Sequence, residues 1–246
     1  MSGLQGKVAL VTGGSRGMGA AIARRLAADG ADVALTYARS PEKAEAVAVE
    51  IRKTGRRAIA IQADNKDAAA IEAAVDETVK ALGRLDILVS NAGIFSMAPI
   101  EEATLDAYDE MMAVNTRAVF AAMRAAVSHL PDGGRIITIG SNLAESVPSP
   151  GMSLYSASKA ALIGLTKGVA RDLGHRRITV NLVQPGSTDT DMNPADTDHA
   201  DAQRARMAIK DYAKPEDIAG LVAWLASEEG RYVTGTAITL DSGTNA

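Results

Sequence analysis

Short runs of β-branched and aliphatic residues alternate with longer alanine-rich stretches along the chain. KVALVT (7–12), DVALT (32–36), AIAIQ (58–62), DILVS (86–90), RIITI (135–139), ITVNLV (178–183) and TAITL (236–240) predict strands. Between them, apolar positions recur at helical spacing over 18–29, 41–54, 67–82, 104–130, 153–174 and 215–227. Strand segments this apolar belong inside a parallel sheet covered on both faces by its crossover helices. The expected fold class is therefore α/β, a doubly wound parallel sheet of about seven strands flanked by helices. No compositional break, repeat or linker rich in Pro, Gly or Ser divides the chain, so residues 1–246 are expected to form one domain.

One segment breaks the alternation. Residues 187–212, STDTDMNPADTDHADAQRARMAIKDY, are polar, acid-rich at first and too long for an ordinary connection. A lid over a site is one expectation; a tolerated surface insertion is the other.

Composition then narrows the function classes. A formal net charge of -4 lacks the basic excess of proteins whose main affinity is for polymeric nucleic acid. The chain has no cysteine, which removes disulfides, thiolate metal sites and cysteine nucleophiles together, and no metal site is expected. Neither a signal-peptide pattern nor a long uninterrupted apolar run occurs, so the expectation is a cytoplasmic protein without a membrane span.

Two stretches carry candidate chemistry. The first strand runs into TGGSRGMG at 12–19, where Gly13, Gly17 and Gly19 permit a sharp turn and close approach of the backbone to a pyrophosphate at the start of the next helix. This is the position of a Rossmann-like cofactor loop, although three residues rather than one separate its first two glycines. The second strand ends in Thr36-Tyr37-Ala38-Arg39-Ser40, without the carboxylate that usually holds the adenosine ribose of NAD. Arg39, with Arg16 from the glycine loop, is suited to a 2′-phosphate, so NADPH is expected over NADH. In LYSASKA (154–160), Tyr155 and Lys159 lie four residues apart and share one helix face. An ammonium held there is expected to lower the phenol's pKa toward neutrality and fit it for proton transfer.

The motifs together resemble the classical short-chain dehydrogenase/reductase family over essentially the whole chain. T-G-x-x-x-G-x-G is matched by Thr12 through Gly19, N-A-G by Asn91, Ala92 and Gly93, and Y-x-x-x-K by Tyr155 and Lys159. Asn115, Ser141, Pro185, Gly186 and Thr190 follow in family order. The resemblance implies an oxidoreductase in which Tyr155 donates a proton to a carbonyl oxygen, Ser141 hydrogen-bonds that oxygen, Lys159 also holds the nicotinamide ribose, and Asn115 fixes a water in a proton relay. It further implies cofactor contacts from Gly13, Ser15, Arg16, Gly17, Met18 and Gly19, from Ala38, Arg39 and Ser40, from Asp64 and Asn65 beside adenine, from Asn91, Ala92 and Gly93, and from Pro185, Gly186, Thr188 and Thr190. Each has a plainer alternative: Asn91 and Asn115 tie loops to helices, and Asp64 caps the helix starting near Asp67.

Ser141 lies 14 residues before Tyr155, one more than in many bacterial members, which leaves Ser146 as an alternative and gives Asn142 a place in the pocket wall. Leu143, the 147–154 loop, Phe95 and the 187–212 segment are expected to line the substrate pocket. Ala118, Ala121, Ala122, Ala125, Ala157, Ala161 and Gly164 suit close helix approach, and the resemblance implies a homotetramer; packing inside the monomer is the alternative. A small ketone or alcohol is the implied substrate. The resemblance extends to two kinds of member, the 3-oxoacyl-acyl-carrier-protein reductases, for which Arg176 is a candidate docking cation, and a biofilm-dispersal protein described as binding cyclic-di-GMP.

Overall fold

The computed structural model describes residues 3–246. Seven strands, β1 (Val8–Val11), β2 (Asp32–Tyr37), β3 (Ala58–Gln62), β4 (Ile87–Ser90), β5 (Arg135–Ile139), β6 (Thr179–Pro185) and β7 (Ala237–Leu240), form one sheet. Their order is β3-β2-β1-β4-β5-β6-β7, and every neighbouring pair is parallel. All seven expected strands are present, with every end within two residues of its expected place.

The helices are α1 (Gly17–Ala28), α2 (Pro41–Lys53), α3 (Ala68–Leu82), α4 (Leu105–Met112), α5 (Ala118–Val127), α6 (Ser153–Leu173), α7 (Asp198–Arg204) and α8 (Pro215–Ala226). Alternate strand residues point to opposite faces and build two cores. Ala9, Val11, Val33, Leu35, Ile87 and Val89 meet α1, α2 and α8 on one face. Val8, Leu10, Ala34, Leu88 and Ile136 meet α3, α5 and α6 on the other.

Two departures from the expected elements bear on the site. The predicted helix 104–130 is split: a π-helical turn at Ala113–Arg117 separates α4 from α5, and it contains Asn115. Within 187–212 the short helix α7 forms, anchored by buried Ala200 and Met207; so few apolar residues give no readable period in the sequence. Asp67, not Asp64, caps α3, its carboxylate accepting from the Ala69 and Ala70 amides at 2.9 and 3.3 Å.

Of the alanines expected at a subunit contact, Ala118, Ala121 and Ala122 are buried within the chain's own fold, and Ala125 is partly buried. Ala157, Ala161 and Gly164 lie exposed on α6. Among the described residues, no helix is long and apolar enough to cross a membrane, and no group of three or more His, Cys, Asp or Glu is placed to hold a metal ion.

Candidate functional site

Strand order reverses between β1 and β4, so the chain leaves the carboxyl ends of these neighbours toward opposite sides and opens a crevice there. Buried Thr12, just past β1, ties the two together: its Oγ1 accepts from the amides of Asn91 at 3.0 Å and Ala92 at 3.2 Å. Asn91 returns the tie, its Nδ2 donating to the carbonyls of Thr12 and Gly13 at 3.0 and 3.1 Å. Thr36 Oγ1 accepts from the Gly13 amide at 3.0 Å and fixes the other side of the loop.

Glycine is required in this loop for space as well as conformation. Gly13 and Gly17 have φ of +64° and +53°. A Cβ on Gly19 would lie 2.2 Å from the Gly13 carbonyl oxygen and 2.5 Å from Asn91 Nδ2. No side chain caps the start of α1, so its first amides are available to an anion.

The crevice is a cleft of about 450 Å³ lined by Gly13, Ser15, Arg16, Gly17, Met18, Gly19, Ala38, Arg39, Ser40, Asp64, Asn65, Asn91, Ala92, Gly93 and Thr190, all expected there. Thr36, Tyr37, Lys66 and Asp191 also border it. Near its mouth Arg16 Nη1 donates to Asp191 Oδ2 at 3.3 Å, and Lys43 Nζ stands 3.9 Å from the same oxygen. The carboxylate of the 187–212 segment thus sits on the loop arginine expected to meet a phosphate. Arg39 stays exposed beside it.

A second cavity, of about 410 Å³, shares Met18, Thr190 and Met192 with the first. Ser141 and Tyr155 are on its wall, with Phe95, Asn142, Leu143, Pro148 and Met152. Pro185, Gly186 and Thr188 lie on this wall and not on the cofactor-type cleft, because β6 runs on to Pro185 and delivers them past it. Ser146 is exposed and outside both cavities, so the one-residue longer spacing still leaves Ser141 facing Tyr155. Asn142 is held from behind by the C-terminal turn, its Nδ2 donating to Asp241 at 3.3 Å and its carbonyl accepting from Asn245 at 2.8 Å.

The Tyr155 ring packs edge-on against Phe95, with centroids 4.9 Å apart. Part of its surface remains open to the cavity, yet the protein packed around it raises its pKa above that of a free phenol; the neighbouring Ser141 hydroxyl acts in the opposite direction. The expected lowering by Lys159 is not seen: loss of water dominates the phenol, and the lowering influence on it comes from Ser141. One turn on, Lys159 is buried at the base, its Nζ donating to the Ile139 carbonyl at 3.0 Å, and burial pushes its pKa down to about 8. Asn115 is wholly buried and its amide is spent on protein: Oδ1 accepts from Ile94 N at 2.9 Å, and Nδ2 donates to Ile94 O and Ser158 Oγ at 3.0 Å. Ser158 Oγ in turn donates to the Tyr155 carbonyl at 2.7 Å, so Asn115 braces the first turns of α6. A Cβ on Gly93 would stand 3.2 Å from Asn115 Oδ1 and 3.4 Å from Lys159 Nζ, which places both groups beside that glycine.

A family model described as short chain dehydrogenase matches residues 7–201. The chain belongs to the short-chain dehydrogenase family. As a short-chain dehydrogenase it is an oxidoreductase. It is 44% identical, over 98% of both chains, to the "Cyclic-di-GMP-binding biofilm dispersal mediator protein" of Escherichia coli strain K12. Among solved structures, a short chain dehydrogenase from Burkholderia cenocepacia in complex with NADP is 62% identical, with a TM-score of 0.98 over 99% of this chain and all of that one. A blue fluorescent protein from a metagenomic library, in complex with NADPH, is 54% identical with a TM-score of 0.98 over the same shares.

Several neighbours of this dehydrogenase's site gave no signal in the sequence. Lys43 enters from α2 and Asp191 from the 187–212 segment, and only the fold brings them to Arg16. Met97 and Thr244 complete the second cavity from two distant parts of the chain. Conversely, Arg176 is not free: it bonds Asp132 at 3.2 Å and the carbonyls of Val127 at 2.8 Å and Leu130, so it fastens the end of α5.

Proposed function

We propose that this chain is an NADPH-dependent carbonyl reductase that converts a small ketone to its alcohol, with Tyr155 as the proton donor. One observation carries this reading: Tyr155 and Ser141 meet on the wall of a cavity joined to a glycine-lined cleft, with Lys159 buried one turn behind the phenol. The cleft suits NADPH. Its glycine loop leaves no room for a Cβ at Gly19, the start of α1 is uncapped, and Arg16 and Arg39 stand where β2 ends without a carboxylate. Asp64 and Asn65 would border the adenine, and Asn91, Ala92, Gly93 and Thr190 the inner part of the dinucleotide.

When bound, NADPH supplies a hydride to the carbonyl carbon, and the carbonyl oxygen then takes one proton. Tyr155 holds that proton at neutral pH because burial keeps its pKa high. Ser141 Oγ accepts from the Leu143 amide at 3.2 Å, which leaves its own hydrogen to donate to the oxygen as charge develops. Lys159 has donors beyond the one given to Ile139, and these would serve the cofactor ribose and the phenol. Asn115 is a positioning residue that acts through Ser158 and Ile94. The exposed face of Ala157, Ala161 and Gly164 on α6 supports assembly of a homotetramer.

Cofactor titration tests the first half of this function. NADPH is expected to bind roughly tenfold or more tightly than NADH, and Arg39→Ala to remove most of that difference; equal affinities in the parent protein would contradict it. Acyl-carrier-protein substrates gain no support, since Arg176 is engaged within the fold. A second reading, a cyclic-di-GMP binder, is supported by the name of the Escherichia coli relative. Binding of cyclic-di-GMP with no ketone turnover would favour it.

A further inference from the structure

The second cavity contains a cation that ketone reduction itself does not use. His199 and Gln203 of α7, and Arg206 just beyond it, fall at i, i+4 and i+7 and line the cavity together. The acids of the 187–212 segment, Asp189, Asp191, Asp196, Asp198, Asp201 and Asp211, are exposed and off that wall. Among the described residues, no Asp or Glu lines the cavity at all. A segment acidic in sequence therefore borders the cavity with basic and amide side chains, Gln203 half-buried and His199 and Arg206 exposed at the rim.

These polar groups differ in how far they are committed. Gln203 is spent: its Oε1 accepts from Ser187 and from Asn193 at 3.2 Å, and its Nε2 donates to Asn193 at 3.1 Å and to His199 Nε2 at 2.6 Å. His199 Nε2 is then an acceptor, which leaves the ring proton on Nδ1 as a donor. Arg204, two residues before Arg206, is paired with Asp201 at 2.8 Å and stacks on Tyr212. Arg206 has no ion pair with any carboxylate of the described residues and no side-chain hydrogen bond to them. Phe95, Leu143, Met152 and Met192 give the same cavity an apolar lining.

An uncommitted, exposed guanidinium at the rim of an acid-free apolar cavity is matched by an anion carried on a carbon chain that reaches from the cavity to its mouth. We propose that the substrate is a ketone bearing a carboxylate, with the carboxylate held by Arg206 and the ketone oxygen by Tyr155 and Ser141. This rests on the reductase function above, whose hydride and proton transfers are unchanged by it.

The test pairs each keto acid with its neutral twin. Turnover of acetoacetate and levulinate, each beside its methyl ester, is measured with NADPH in the parent protein, Arg206→Met and Arg206→Lys. At least one acid is expected to exceed its ester in kcat/KM by roughly tenfold or more. In Arg206→Met that ratio should fall toward one, mainly through a higher KM for the acid, while Arg206→Lys keeps part of it; NADPH affinity serves as the check on folding. No preference for either acid, or a preference that survives Arg206→Met, overturns the proposal. If none of these compounds turns over, the wider ketone panel decides the reductase function separately. Calorimetry of levulinate and its ester on the NADP⁺ complex then decides the carboxylate question: tighter binding of the acid that depends on Arg206 upholds it, and equal binding overturns it.

Discussion

Tyr155 and Lys159 owe their properties to burial as much as to their spacing. The four-residue interval in the sequence places them on one helix face, and the structure keeps them there, with Lys159 Nζ 5.8 Å from the phenol ring centre. The direction of the pKa shifts was not legible. It depends on how much water the fold removes, and the fold removes enough to push the phenol up and the ammonium down from 10.5 to about 8. Because the folded-state value lies below the unfolded one, the unfolded chain binds more protons between pH 8 and 10.5, and this group's contribution to stability rises with pH across that window. Denaturant unfolding of the parent protein and Lys159→Met at both ends of the window should show their difference moving in favour of the parent by roughly 3 kcal/mol. A difference that does not change with pH would mean that Lys159 remains as readily charged in the fold as in water.

At the scale of elements, the β1–α1 turn and the 187–212 segment show the two limits of what patterning conveys. The turn was legible, since glycines at 13, 17 and 19 between an apolar strand and an amphipathic helix imply a backbone pressed close to its neighbours. Gly19→Ala, with its methyl group driven into the Gly13 carbonyl and Asn91, should open the loop and weaken NADPH binding by at least about tenfold; unchanged affinity in a titration would show that the loop yields freely. The 187–212 segment disclosed its polarity but not its helix or which of its side chains border the second cavity. Nor did the sequence disclose the π turn that breaks 104–130: Asn115 sits where helical periodicity continues, and its ties to Ile94 and Ser158 are long-range contacts with no local signature. Ser141 lies on the same cavity wall as Tyr155 despite the longer interval, and Pro148, Ser149 and Met152 of the intervening loop line that cavity with them.

Over the whole molecule, the order of strands does what no single motif does. It brings the loops after β1, β2, β3 and β4 to one crevice and the ends of β5 and β6 to the adjoining cavity, so residues from position 13 to position 244 surround one continuous path from Arg39 to Tyr155. Apolar strands alternating with amphipathic helices made that architecture legible, whereas the placement of the C-terminal turn behind Asn142 depends on tertiary contacts alone. The central claim is that this path transfers a hydride and a proton to a ketone. It is tested most directly by following loss of reduced-nicotinamide absorbance with a panel of β-ketoesters, aryl ketones and keto acids, for the parent protein and Tyr155→Phe, with NADPH affinity measured on both. The account predicts turnover by the parent and a fall of at least about a hundredfold in Tyr155→Phe with NADPH binding nearly unchanged. Turnover that survives the loss of the phenol, or none by the parent on any ketone, would contradict it.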